Sequence, residues 1–321
     1  MKLIRPKLGN KSASELLITE LYIELRRKTR KWAEVTRQTA QARMGYVGQH
    51  LVSVAIGAPG GRSGGRGYDI VHADGSSGEV KTCYRVDQLG SCRKCEAGVS
   101  PDELKCPGCD SADIERKDDS KWLISLRNDA EFAELLIPSA YYLVLFEFTD
   151  LAKPDTIQAS IWQVDPLAPG FLLCMVDYYC NIRSKSASKA PFNLWPYSLK
   201  FELMKPVLIY RSLLMPDDSI RTIFFPGEDE PQLHRLSSID EHSRAKVSLD
   251  IWADVAATLG VRSERTKAGI LAALEAYRIR SDACSVRLTE CLARAMYADA
   301  VKPHRASLPR ALKGPVLQMT S

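Results

Sequence analysis

A chain of 321 residues, 45% hydrophobic and 26% charged, has room for about two domains and the composition of an ordinary globular protein. Wholesale disorder, a collagen-like repeat and a disulfide miniprotein are excluded. No apolar run approaches the ~20 residues of a membrane span, and MKLIRPKLGNKSASE lacks the apolar stretch of a signal peptide, so a cytoplasmic protein without membrane contact is expected. Net charge is +5 and unevenly spread: residues 1–50 carry eleven Lys/Arg against four Glu, with Arg26, Arg27, Lys28, Arg30 and Lys31 bunched together. Such a run is either a phosphate-binding surface or a solvated helix face.

Ser12 with Glu15 three residues later has the form of a capping box, and apolar periodicity predicts a long helix from Ser12 to Arg43. Tyr46–Ile56 reads as a second, shorter helix. Six of the eleven residues in Gly57–Gly67 are glycine, which predicts an irregular loop bearing Arg62 and Arg66. The loop fits neither a P-loop, since no Gly is followed by Lys and Ser/Thr, nor a dinucleotide fingerprint, since its glycines precede a strand. Gly67–Val71 and Gly78–Val86 read as antiparallel strands joined by the turn residues Ala73–Ser77. Beyond a polar, cysteine-bearing stretch, a helix over Asp129–Leu136 and strands over Tyr141–Thr149 and Gln158–Val164 are expected. Asn181–Ala190 reads as a basic loop, Phe192–Tyr210 as an aromatic segment of strand character, Glu228–Ser243 as a linker, and Ser248–Ala300 as a helical block.

Asp69 on the first hairpin strand and Glu79-Val80-Lys81 on the second carry the most chemistry. Residues two apart in a strand share a face, so Glu79 and Lys81 project together, and the neighbouring strand sets Asp69 beside them. Two carboxylates at such close quarters call for a cation, and oxygen ligands suit Mg²⁺. Asp69 and Glu79 are therefore candidate Mg²⁺ ligands, and Lys81 a candidate to orient water or neutralise charge in phosphodiester hydrolysis. The bland alternative is three surface residues on a hairpin.

Cys92-x-x-Cys95 and Cys106-x-x-Cys109 form two knuckles whose thiolates can enclose Zn²⁺ tetrahedrally. Polar Gln88–Lys121 has too few apolar residues for a core, so a structural metal is expected to hold this module together. Cys83, Cys174, Cys180, Cys284 and Cys291 lie among apolar residues and read as buried hydrophobes. Arg183, Lys185, Lys189, Asn193 and Lys200 are the polar groups of an aromatic-rich stretch that suits DNA contact, while Phe192, Trp195 and Phe201 read equally well as core.

The order of helix, acidic hairpin, helix and buried strand resembles the PD-(D/E)xK nuclease fold, with Tyr68-Asp69 where that family places Pro-Asp. Members often add an acid or amide from the first helical region, for which Gln49 is the auxiliary candidate. Adding the four-cysteine insertion and FNLWPYSLKFELMKP, the chain is similar to the MamI-type family of type II restriction endonucleases. That resemblance implies an α+β fold with a mixed sheet flanked by helices. It also implies Mg²⁺-dependent cleavage of double-stranded DNA at a short interrupted palindrome by a homodimer, with a cognate DNA methyltransferase as functional partner. The expected organisation is a nuclease core over 1–87 and 122–227, a zinc ribbon over 88–121, a linker over 228–247 and a helical region over 248–321 for dimerisation or DNA contact. A structure-selective repair nuclease and a non-enzymatic zinc-ribbon DNA-binding protein are the alternatives.

Overall fold

The computed structural model describes residues 7–40, 45–61, 68–149, 156–183, 186–187, 190–228, 249–258, 260–266, 268–270, 272–273 and 276. Arg62, Arg66, Lys185, Lys189, most of the expected linker and the part of the expected helical block beyond residue 276 lie outside them. The chain divides into two compact units, one of residues 1–122, 137–163 and 207–231, the other of 123–136, 164–206 and 232–321.

The first unit opens with α1 (Lys11–Leu17), a π-helical segment (Ile18–Ile23) and α2 (Glu24–Thr36). The cap is Asn10, whose side chain accepts from the Ala13 amide, rather than Ser12. Glu15 is not in a capping box: it accepts from both the amide and the hydroxyl of Thr222. The π-helical register turns Ile18, Tyr22 and Ile23 inward together. Arg37, at φ 54°, ends α2, so the helix stops short of the expected Arg43. After it come α3 (Gly45–Ile56), β1 (Ile70–Val71) and β2 (Ser77–Arg85). The small sheet of β3 (Gly90–Cys92), β4 (Gly98–Val99) and β5 (Ile114–Glu115) follows, order β4-β3-β5.

Six strands complete the main sheet in the order β1-β2-β7-β8-β10-β11, with β7 at Ala140–Phe148, β8 at Ile157–Val164, β10 at Val207–Leu214 and β11 at Ile220–Phe224. β1 and β2 pair antiparallel, as the turn residues predict, whereas β2 and β7 pair parallel, so the sheet is mixed. Alternation sorts its residues: Val80, Tyr84, Tyr142, Val144 and Phe146 join the core beneath α1 and α3, and Glu79, Lys81, Tyr141 and Leu143 take the other face. Tyr22 packs on Phe146 at 4.4 Å, and Tyr84 stacks on Phe146 at 4.8 Å. This aromatic trio fixes the π-helical segment over β2 and β7.

The second unit begins within β6 (Trp122–Ile124), which pairs with β9 (Phe192–Leu194), and it contains α4 (Asp129–Glu134), α5 (Pro169–Asp177), α6 (Leu199–Leu203) and α7 (Leu249–Thr258). A second π-helical segment, Tyr178–Arg183, occupies the start of the expected basic loop, and α6 replaces strand in the middle of the aromatic segment. Phe192 and Phe201 are fully buried, whereas Trp195 is partly exposed. No helix among the described residues is long and apolar enough to cross a membrane.

α3 rests on β2 at Gly48, where an added Cβ would lie 2.0 Å from Thr82 Oγ1 and 2.9 Å from its Cγ2. Gly48→Ala is expected to cost about 1–3 kcal/mol in urea unfolding, the usual penalty of overpacking, and adding Thr82→Ala should recover part of it.

Candidate active site and four-cysteine centre

The register Ile70↔Gly78 and Val71↔Ser77 sets the residue before β1 against the start of β2. Asp69 lies there, and the Val80 amide donates to its Oδ2 at 2.8 Å. From α3, Gln49 Nε2 donates to Asp69 Oδ1 at 2.7 Å. Lys81 Nζ meets Glu79 Oε1 at 2.5 Å; the Glu79 side chain is 12% exposed and that of Lys81 29%. Burial, and then the Glu79 carboxylate, push the Asp69 carboxyl above its ordinary value, against the Val80 amide and the Lys81 ammonium. The structure thus gathers Asp69, Glu79 and Lys81 and adds Gln49. The crowding of two oxygen-donor acids is the condition a hard divalent cation relieves, and the donor set fits one.

Tyr141 is a residue that motif reading passes over. It stands opposite Glu79 in the β2–β7 register, and burial together with the Glu79 and Asp69 charges raises its phenol. In sequence Tyr141–Phe146 is an apolar run, and only the parallel pairing sets Tyr141 opposite Glu79. His72 ties the hairpin to β7: Nδ1 meets Ser76 Oγ at 2.8 Å and Nε2 meets the Tyr142 hydroxyl at 2.9 Å.

The four cysteines converge as their spacing predicts, with all sulfurs within 4.8 Å of one another. Cys95–Cys106 and Cys92–Cys109 are 3.4 and 3.6 Å apart. A tetrahedron of ~2.3 Å Zn–S bonds has edges of about 3.8 Å, so the cage fits Zn²⁺. Both knuckles fold alike. The Lys94 and Gly108 amides donate to Cys92 and Cys106 sulfur, and Glu96 and Asp110, one past each second cysteine, adopt φ of 60° and 55°. Desolvation would raise the Cys92 thiol, yet the Lys94 and Cys95 amides and neighbouring thiols lower it to about 7. Cys95, despite an amide donor from Ala97, is pushed up to about 12 by the thiols of Cys106 and Cys109. Four such thiols do not ionise together without a cation among them.

The arginines of the basic run meet acids of the same chain, while Lys28 and Lys31 are exposed. Arg26 pairs with Asp87, Arg27 with Glu24 and Asp218, Arg30 with Asp102, and Arg37 with Glu103 at 2.5 Å. Asp102 and Glu103 belong to the segment between the knuckles, and Arg116 donates to the Ser100 and Glu103 carbonyls, so α2 clamps the cysteine module. Cys83 and Cys174 are buried, as expected of small hydrophobes.

Of the DNA-contact candidates, Asn193 is exposed on β9, Lys200 Nζ lies 4.9 Å over the Phe192 ring, and Arg183 Nη1 donates to the Ser186 carbonyl at 3.0 Å.

The family model for the MamI restriction endonuclease matches residues 31–238, more than half of the chain, and the protein belongs to that family. It is therefore a restriction endonuclease, a class of enzyme that cleaves DNA at specific sequences. No curated protein and no solved structure gives a significant match.

Metal analysis of the purified protein is expected to find one zinc per chain. Cys106→Ser should lose it and melt at a lower temperature, because the cysteine module has only the small cluster of Cys92, Val99 and Cys106 as its core.

Proposed function

We propose that this restriction endonuclease is a Mg²⁺-dependent type II enzyme, hydrolysing double-stranded DNA at a short interrupted palindrome as a cytoplasmic homodimer. A DNA methyltransferase of the same specificity would be its functional partner without binding it. The observation that carries the reading is the meeting of Asp69, Glu79 and Lys81 at one hairpin edge in a chain of this family. Two-fold symmetry of a palindrome would be mirrored by a two-fold protein.

Asp69 and Glu79 would hold the Mg²⁺, which when bound supplies positive charge at the phosphate and acidifies a water. Gln49 and the Val80 amide fix the Asp69 carboxylate, each taking one oxygen and leaving further lone pairs for an ion. Lys81, anchored by Glu79, orients the attacking water or meets charge developing on the phosphate. The water oxygen bonds to phosphorus and the bond to the leaving sugar oxygen breaks. Cys92, Cys95, Cys106 and Cys109 would hold Zn²⁺ with four thiolates and leave it no open position, so its role would be structural. Residues 88–121 form the inserted ribbon of this reading, and α2 braces it. Asn193, Lys200 and Arg183 are the proposed DNA contacts, joined by Arg62, Arg66, Lys185 and Lys189. Residues 248–321 serve dimerisation or DNA contact.

Unmethylated plasmid incubated with Mg²⁺ should give discrete fragments with one end sequence. Glu79→Ala and Lys81→Ala should each slow cutting at least ~100-fold. A smear, or fragments unaffected by Glu79→Ala, would overturn the reading. Asp69→Asn tests the electrostatics separately. An acid whose folded pKa is raised contributes stability at low pH that is lost as pH rises through that pKa, so at neutral pH the charged Asp69 weakens the Mg²⁺-free fold. Asp69→Asn is therefore expected to abolish cleavage and, with the Gln49 amide turned so that its oxygen accepts from the new NH2, to raise the melting temperature at pH 7 without Mg²⁺.

A further inference from the structure

We propose that Gly61 is a positioning residue for the carboxylate pair, its bare backbone pairing with the segment that carries Asp69 and holding that carboxylate beside Glu79. The inference deepens the nuclease reading above and rests on it. It gives the glycine-rich stretch a task other than cradling phosphate.

The start of that stretch lies against the hairpin as a further strand would. Gly60 and Ile70 form an antiparallel bridge, the Gly61 amide donates to the Asp69 carbonyl at 2.9 Å, and the Val71 amide donates to the Pro59 carbonyl at 3.0 Å. Ile70 also pairs with Gly78 of β2, so β1 is flanked on both sides. The outer flank is itself anchored, since the Ser53 hydroxyl of α3 donates to the carbonyl of buried Ala58 at 2.5 Å. One turn earlier on α3, Gln49 donates to Asp69 Oδ1. The helix therefore holds the acid twice, at its carboxylate directly and at its backbone through residues 58–61.

Space, not backbone conformation, makes glycine necessary here, and at one position only. Neither Gly60 nor Gly61 has a positive φ. A Cβ on Gly61 would overlap the Tyr68 carbonyl oxygen and lie 2.7 Å from its carbonyl carbon, and no rotamer change can move these backbone atoms aside. A Cβ on Gly60 would meet the Asp69 carbonyl oxygen at 3.7 Å, an ordinary contact. Tyr68 immediately precedes Asp69, so relieving the overlap at Gly61 moves either the loop off β1 or the acid's own backbone. Gln49 and the Val80 amide grip the carboxylate from other segments, and such a shift pulls it against both bonds.

Mn²⁺ binding to the zinc-loaded protein, below each melting temperature, compares Gly61→Ala and Gly60→Ala with wild type. Gly61→Ala should bind about 10- to 100-fold more weakly, the range for a group that orients a metal ligand, and Gly60→Ala as wild type does. A Gly61 that only closes the fold would lower the melting temperature and leave the affinity unchanged, which would overturn the proposal. Equal losses in the two variants would overturn it too. Coupling is reciprocal, so saturating Mg²⁺ should slow amide hydrogen exchange at Gly61 of the wild type by at least about 10-fold. That measurement decides the case where Gly61→Ala does not fold, and exchange indifferent to Mg²⁺ contradicts the proposal. A wild type that binds Mn²⁺ but cuts no DNA ends the nuclease reading alone, and the affinities still decide the role of Gly61. A wild type that binds no Mn²⁺ ends both.

Discussion

Two carboxylates of like charge are held together at the edge of a mixed sheet, and the rest of the first unit is arranged so that they stay there. Asp69 is fixed by an amide from α3 and a backbone N–H from β2, and Glu79 by its own strand's lysine. Left without a cation, that arrangement is electrostatically unfavourable: burial, and then the Glu79 charge, push the Asp69 carboxyl up. A fold tolerates a local cost of this kind when surrounding packing over-determines it, here the π-helical segment, α3 and the aromatic trio of Tyr22, Tyr84 and Phe146.

Charge elsewhere is used for construction. An arginine-rich helix in a DNA-cleaving protein invites a phosphate-binding interpretation, yet Arg26, Arg27, Arg30 and Arg37 each meet an acid of the same chain. Arg30 and Arg37 reach the segment between the two knuckles, so the four-cysteine cluster and the helix that leads toward α3 are mechanically joined. Within the module, Arg93 approaches Asp113 and Glu115, and Lys105 meets Asp110 at 3.1 Å, which further reduces the charge available to a polyanion.

The parts of this design written in short stretches were legible in the sequence. A five-residue turn between two apolar runs specifies a hairpin, a two-residue spacing puts Glu79 and Lys81 on one face, and two CxxC knuckles specify a tetrahedral cage. Interactions between distant segments were not legible in that way. The parallel pairing of β2 with β7 bridges an inserted module, so Tyr141 looks like any core aromatic. The acids that neutralise α2 lie some sixty residues or more beyond it, apart from Glu24. Local patterns also misled: Ser12 and Glu15 have capping spacing, but Asn10 satisfies the helix start and Thr222 claims Glu15. Gln49 stands between these cases, since the family resemblance suggested it and its contact with Asp69 spans twenty positions.

Equilibrium binding of Mn²⁺ to the zinc-loaded protein, wild type against Glu79→Gln, addresses the carboxylate pair most directly, because it asks whether a cation is held before any DNA is present. One saturable site per chain is expected in the wild type, lost or greatly weakened in Glu79→Gln with the fold intact. Superimposable isotherms would contradict it, since the crowded acids would then be holding no ion.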